Sequence, residues 1–468
     1  MADLDLPASA GRALDGHVGA TSALSPQRAF ERLSRAVRSL VRYEPSDPWE
    51  LDTESLPKPL AGYRRLVRAF AARHLRPLSL SADLEPHEPP GRCSPASLEV
   101  LRAAGRAGLL SDLLPRPLGS MSPGLLRYPL FFPQALKTEE LAAVDGGLML
   151  LICANGLGAA PVVLSGELGS IRRHLLPAFR ASERGDPHVF AFAITEPDAG
   201  SDVEEGHGAV RYRPGVSARR VPGGYRIRGR KCFISGGDIA RSIVVFSALE
   251  GEGMESWTAF LVPNSAPGFR VARTELKMGM RASGAAEIEL DEVFVPDSSV
   301  LGALRSGWAL NRATLNMSRI PVAAMAVGFA RAATEEATRF ACRFRLAGKP
   351  LASFQEVQLA LAQMEAETSS ARGMVWRAAA RRQARQAEAS AAKFHCTDVA
   401  RRVCETAMDL MSNHATLHEN RVEKAFRDAR LTQIFEGTNQ INRLAVIEDD
   451  QERLLDAIDA SERARSNA

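Results

Sequence analysis

The 468-residue chain carries 59 Lys and Arg against 55 Asp and Glu, and its net charge of +4 is spread along the sequence, which argues against dedicated nucleic-acid binding. An apolar share of 45% on this length can fill two or three packed cores. Six cysteines (Cys93, Cys153, Cys232, Cys342, Cys396 and Cys404) form no C-x-x-C pair and follow no disulfide spacing, a pattern that fits reduced thiols in a cytoplasmic protein.

The amino terminus, MADLDLPASAGRALDG, places acidic residues where a secretory signal needs basic ones, so export is not indicated. Residues 1–58 are rich in Pro, Ser, Asp and Arg and read as a loosely attached, partly disordered extension, with a short amphipathic helix possible over 27–42. Residues 59–188 show apolar positions at helical spacing, such as Leu98, Leu101, Ala104 and Leu109, interrupted between Pro115 and Pro133. The most apolar stretch, 141–164, is broken by Asp145, Asn155, Pro161 and several glycines. It predicts two buried helices with a turn and no membrane span.

Near Phe190 the pattern changes to short β-prone runs separated by Pro, Gly and Asn turns, and residues 189–302 are expected to form a β-barrel or sandwich. Alternation over Ile288, Leu290, Val293 and Val295 breaks at Asp291-Glu292, which predicts a bulge. Residues 303–450 return to helical spacing, with helices predicted at 308–346, 352–387, 390–412 and 421–433, enough for a four-helix bundle. Residues 451–468 are set apart as a tail. The fold class is therefore α+β, mostly helical, in the order helical, β, helical.

Two loops carry matching devices. FAFAITEPDAGSD (190–202) runs from a strand edge into a turn containing Pro197, Gly200 and Ser201; KCFISGGD (231–238) ends a β run with an aromatic, a hydroxyl and two glycines. Backbone amides and hydroxyls on such loops can grip the edge of a flat polar ring. A third segment, RDARLTQIFEGTNQINRL (427–444), contains Gly437, which can take a left-handed conformation and turn the preceding Glu436 into a cavity. Three weaker features carry less. Gly156-Leu157-Gly158 lacks the final glycine and the βαβ context of a dinucleotide fingerprint and is assigned to packing. The basic run Arg372 to Arg385 reads as a solvated or intersubunit helix face, and His395, Cys396 and Cys404 lack metal-ligand spacing.

From about Tyr63 to Glu448, through these three segments and KMGMRASGAAEIELDEVFVP (277–296), the sequence resembles the acyl-CoA dehydrogenase family. The resemblance implies an FAD-dependent enzyme that desaturates an acyl thioester to the trans-2-enoyl thioester, in acyl-lipid metabolism, with Glu436 as the base for the α-proton. It places Ala193, Ile194, Thr195, Phe233, Ser235, Thr438 and Gln440 at the flavin cofactor, and Ser201, Arg319 and Gly437 at the substrate. No metal is implied. Some members of the family carry the base on an earlier helix; the matching position here is Ser318, with no acid beside it. Expected partners are an acyl-CoA or acyl-carrier-protein substrate, electron-transfer flavoprotein or a similar acceptor, and further subunits in a dimer or tetramer, alike or related.

The match weakens on the adenosine side of the cofactor. The family's pyrophosphate arginine falls on Phe344, its usual phenylalanine before glycine on Ala347, and its glutamine and glycine-rich turn on Asp409 and Ser412 to Ala415. Three explanations stay open: weaker FAD binding, FAD held by other contacts, or assembly with a related chain that supplies the missing groups. A carrier-protein-linked substrate and a poorly FAD-binding partner subunit are the alternative functions.

Overall fold

The computed structural model describes residues 30–41, 46–85, 93–203 and 206–466. Of the helix predicted over 27–42, residues 27–29 and 42 lie outside this range, and Arg35–Arg38 forms a single turn.

The amino-terminal layer contains helices α1 (Pro48–Ser55), α2 (Lys58–Phe70), α3 (Pro95–Arg106), α4 (Phe131–Ala142), α5 (Gly146–Leu164) and α6 (Leu176–Glu183). The starts of α1 and α3 join an Asp or Ser cap to Pro at the first helical position, where a missing N–H costs nothing. Between α4 and α5 lies the predicted turn: Asp145 accepts the Leu148 N–H at 2.8 Å, a cap that contributes about 1 kcal/mol. Beyond it α5 is one continuous helix, and its glycines serve contact. A Cβ at Gly158 would lie 2.5 Å from the Phe190 backbone, so α5 approaches the first strand that closely only because the residue has no side chain. Helix α5 is long and apolar enough to cross a membrane, but most of it is buried inside the protein.

The middle domain is an eight-stranded mixed sheet: β1 (Phe190–Ala193), β2 (Ser217–Val221), β3 (Gly224–Ser235), β4 (Ser242–Leu249), β5 (Thr258–Pro263), β6 (Phe269–Thr274), β7 (Ala285–Pro296) and β8 (Val300–Leu301). The order is β6-β7-β3-β2-β4-β5-β8, with β1 parallel to β4. The bulge expected at Asp291-Glu292 is present. Ile227 pairs with Val293 and Gly229 with Leu290, so two residues of β7 face one of β3, and Glu292 has φ +50°. A second bulge lies on β3 between Lys231 and Ile234.

The carboxy-terminal domain contains α7 (Gly307–Arg343), α8 (Gln355–Ala379), α9 (Gln386–Met411), α10 (Val422–Thr432) and α11 (Asn439–Ser466). With 37 residues α7 is about 55 Å long; it packs against α8, α9 and α10 and also against α4 and α5 of the first layer. It ends at Arg343, short of the predicted 346, because Phe344 is extended and opens a hairpin of Arg345–Leu346 with Lys349–Pro350. The last helix continues to Ser466, through residues expected to form a separate tail.

Loose attachment does not hold for α1. Trp49 is buried and its indole N–H donates to Glu140 at 2.7 Å, while Asp52 accepts from Arg372 at 2.7 Å. These are the rim of a buried charge cluster. Glu139 and Glu140 of α4 meet Arg64 of α2, Arg331 of α7 and Arg372 of α8, with Arg331 bidentate on Glu140 at 2.7 and 2.9 Å. Arg372, expected on a solvated or intersubunit helix face, is only 4% exposed because this pairing draws it inward; Arg377 is exposed on α8, and Arg381, Arg382 and Arg385 are exposed beyond it, since the helix ends at Ala379 and not at the predicted 387.

Candidate functional site

The two loops of the middle domain come together through their backbones. The Cys232 N–H donates to the Thr195 carbonyl at 3.0 Å, and the buried Lys231 ammonium donates to the Ile194 carbonyl and to Glu196, both at 2.8 Å. Glu196 also accepts from Tyr212 at 2.7 Å and from the Gly215 N–H at 2.6 Å. Burial alone would raise its carboxyl pKa, but Lys231, Tyr212 and Gly215 outweigh that and hold it below the ordinary carboxylate value. The β3 bulge then gives Phe233 a φ of +56° and turns its ring outward, 62% exposed, beside Ser235.

Facing these loops is the turn between α10 and α11. Glu436 and Gly437 have φ of +55° and +78°. Gly437 takes this conformation freely, whereas a side-chain residue there costs about 1–2 kcal/mol, so the Glu436 backbone is held by its surroundings. Lys393 of α9 donates to the Gly437 carbonyl at 2.6 Å, and the Asn442 amide donates to the carbonyls of Glu436, Gly437 and Thr438 at 3.3, 2.9 and 3.0 Å. Asn439 accepts from Lys393 and donates to Asp398 of α9. Lys393, Asn439 and Asn442 are not among the residues expected from sequence. The two asparagines sit within the 427–444 motif, where amides beside a left-handed turn were a usable signal; Lys393 gave none.

Between loops and turn lies a cavity of about 410 Å³. Ile194, Thr195, Ser201, Phe233, Ser235, Glu436, Gly437 and Thr438 all line it. Ser201 accepts the Thr438 N–H at 3.2 Å, which joins the first loop to the start of α11. Three expected residues stand outside the lining. Ala193 is buried on β1 against Val245, and Gln440 is exposed. Arg319 is buried and donates to Asn316 and Ser390, so its charge reaches Glu436 through its field rather than by contact. The remaining wall is mostly apolar, with Leu150, Ala154 and Leu157 of α5 and Pro321, Val322 and Met325 of α7, which the sequence did not reveal; Thr138, Cys153 and Ser318 are polar members of it.

Glu436 is half-buried at this wall, and one carboxylate oxygen accepts from the Ser318 hydroxyl at 2.7 Å. Burial raises its pKa, and the Ser318 hydrogen bond and the charges of Arg319 and Lys393 only partly oppose the rise. A carboxylate with a raised pKa in an apolar cavity has the character of a general base that works near neutrality. The cavity also fits a flat aromatic cofactor, since it joins an outward-facing aromatic ring to the hydroxyls of Thr195 and Ser235.

The adenosine-side positions form no cationic cradle. Phe344 stacks on Phe340 with centroids 5.0 Å apart and meets His414 edge-on at 5.4 Å. Arg343 and Arg345 are exposed, with Arg345 donating to the Gly348 carbonyl; Asp409 is exposed too. Among Asp83, His418 and Glu423, the one group of side chains with metal-ligand spacing among the described residues, the His418 nitrogens are engaged with Glu423 and the Leu80 carbonyl. No cysteine is bonded to another.

Comparison with known proteins agrees with this architecture. Residues 191–293 match the family described as acyl-CoA dehydrogenase, middle domain, and residues 305–449 the family described as acyl-CoA dehydrogenase, C-terminal domain. Cyclohex-1-ene-1-carbonyl-CoA dehydrogenase of Geobacter metallireducens is 34% identical over 385 residues, covering 81% of this chain and 94% of that protein. The caffeyl-CoA reductase-Etf complex subunit CarC of Acetobacterium woodii is 28% identical over 390 residues, with 82% and 96% covered. The solved structure of butyryl-CoA dehydrogenase from Megasphaera elsdenii superposes with a TM-score of 0.74 at 28% identity, covering 84% of this chain and 98% of that one. The chain belongs to the acyl-CoA dehydrogenase family and is an oxidoreductase of that kind.

Proposed function

We propose that this protein removes the α- and β-hydrogens of an acyl-CoA and releases the trans-2-enoyl-CoA, with FAD as cofactor. The observation that carries the reading is Glu436, held on a left-handed turn at the wall of an apolar cavity opposite the Thr195 and Phe233 loops. Bound FAD supplies the acceptor for the β-hydride. Ile194, Thr195, Phe233, Ser235 and Thr438 hold the flavin, and Gln440 and Ala193 support it from outside the cavity. Glu436 takes the α-proton, and its backbone N–H polarises the thioester carbonyl so that negative charge can develop there. The apolar wall from Leu150 to Met325 receives the acyl chain and excludes water, which keeps the carboxylate basic. Ser201 lies on the CoA side. Anaerobic mixing of flavin-loaded protein with a saturated acyl-CoA tests this: bleaching of the flavin with formation of the enoyl thioester is expected, and an unchanged acyl-CoA with oxidised flavin would contradict it.

Electron-transfer flavoprotein is the proposed acceptor, a reading supported by the Etf-complex name of the 28% identical relative. A dimer or tetramer is proposed as well. Leu444, Ile447, Leu454, Leu455 and Ile458 of α11 are exposed along one helix, and burying them against another subunit would remove that apolar surface from water. Light scattering at micromolar concentration should give a multiple of the chain mass; a monomer carrying one FAD per chain would count against it.

The Phe340–Phe344–His414 cluster favours a second reading, weak FAD binding by the lone chain. A phenyl ring cannot pair with a pyrophosphate, and each lost charge-assisted hydrogen bond costs roughly 1.5–3 kcal/mol, or about one to two orders of magnitude in affinity. FAD is expected to dissociate readily on dilution, and Phe344→Arg to improve retention about ten-fold or more. Titration of apoprotein decides: low-nanomolar binding by the lone wild-type chain would show that other contacts compensate.

A further inference from the structure

The hydroxyl of Ser318 lies 2.7 Å from Glu436 Oε2 and 3.1 Å from the Leu315 carbonyl oxygen one turn back on α7. It carries one proton and can donate to only one of them at a time. A carboxylate accepts and cannot donate, whereas a carboxylic acid can donate back to a hydroxyl.

We propose that Ser318 is a positioning residue that stays hydrogen-bonded to Glu436 in both protonation states, donating to the carboxylate before the α-proton is taken and accepting from the carboxylic acid afterwards, when its own proton turns to the Leu315 carbonyl. The proton balance closes: Glu436 gains one proton from the substrate, and Ser318 gains and loses none. The inference rests on Glu436 as base and adds to that reading how the base keeps its aim when its charge disappears. The alternatives for holding the carboxyl are few. Arg319 of α7 and Lys393 of α9 are the cations whose charge acts on it, and their hydrogen bonds go elsewhere, Arg319 to Asn316 and Ser390, Lys393 to the Gly437 carbonyl and Asn439. Asn442 of α11 binds only the backbone of the turn, and Ser201 of the first loop accepts the Thr438 N–H with no hydrogen bond joining it to Glu436.

The bond donated to the carboxylate is charge-assisted and stronger than the neutral one accepted from the acid, so removing Ser318 should raise the carboxyl pKa. The test compares wild type with Ser318→Ala and with the isosteric pair Ser318→Thr and Ser318→Val, using flavin content as the check on folding. The acid limb of single-turnover flavin reduction should move up by about one pH unit in Ala and Val, a ten-fold loss below the limb, and return in Thr. A second readout needs no flavin: the carboxyl stretch of Glu436, identified by its loss in Glu436→Gln, should titrate at higher pH in apoprotein of Ala and Val. Val beside Thr decides the matter if Ala does not fold. Unmoved limbs and titration in Val and Ala, with Glu436→Gln inactive, overturn the role of Ser318 alone. Wild-type reduction by Glu436→Gln removes the base assignment and this inference with it.

Discussion

Glu436→Gln is expected to fold, bind flavin as wild type does, and lose at least ~10²-fold in the rate at which an acyl thioester reduces the flavin. The change is nearly isosteric. A glutamine oxygen can still accept from Ser318, and the contacts of Lys393 and Asn442 that fix the turn all go to backbone carbonyls, which the substitution leaves in place. What disappears is the basic oxygen. No second carboxylate is among the cavity-lining residues, so no neighbour can take over. In wild type, the raised pKa of Glu436 places the acid limb of the rate above the ordinary glutamate value of roughly 4.3, because only the ionised form accepts the α-proton. Stopped-flow reduction across a pH series measures both the loss and the limb.

Glu140→Leu is expected to destabilise the fold by about 3–5 kcal/mol, read as a lowered denaturant midpoint at unchanged slope. One Glu140 oxygen receives Trp49, Arg64 and Arg331, so its loss leaves guanidinium groups buried with too few acceptors. The same contacts should loosen α1, making residues 46–55 sensitive to protease. Burial alone would raise the Glu140 carboxyl, but Arg331, Arg64 and Trp49 outweigh it and hold the pKa down to about 2. With the folded value depressed, this contribution is fully present above the unfolded carboxylate pKa and is lost as pH falls toward about 2. The difference in stability between wild type and Glu140→Leu should therefore narrow on acidification; a constant difference from neutral pH down to the acid transition would contradict the ionic account.

The domain order, the bulge at Asp291-Glu292 and the Glu436-Gly437 turn were legible because each has a local cause. Periodicity changes along the chain, alternation breaks at one place, and a glycine follows an acid inside a long motif. The charge cluster was not legible, because Arg64, Glu139, Arg331 and Arg372 are far apart in sequence and a lone charge on a helix is usually solvated. Apolar neighbours such as Leu136 and Leu141 were a weak hint that this face of α4 points inward. The cavity wall had the same difficulty: Thr138, Cys153 and Met325 meet only once α4, α5 and α7 pack together. Arg319 lies within a matching segment, but the segment alone does not distinguish a substrate contact from a structural role; its side chain donates to Asn316 and Ser390.

Abstraction of the α-proton by Glu436 can be measured apart from hydride transfer. An acyl-CoA whose β-carbon bears only methyl groups has α-hydrogens and no β-hydrogen to lose, so in deuterium oxide its only available change is α-exchange. Flavin-loaded wild type should exchange these hydrogens, seen as loss of the α-proton resonance, and Glu436→Gln should leave them in place over the same period. Exchange by Glu436→Gln at the wild-type rate would show that another group is the base.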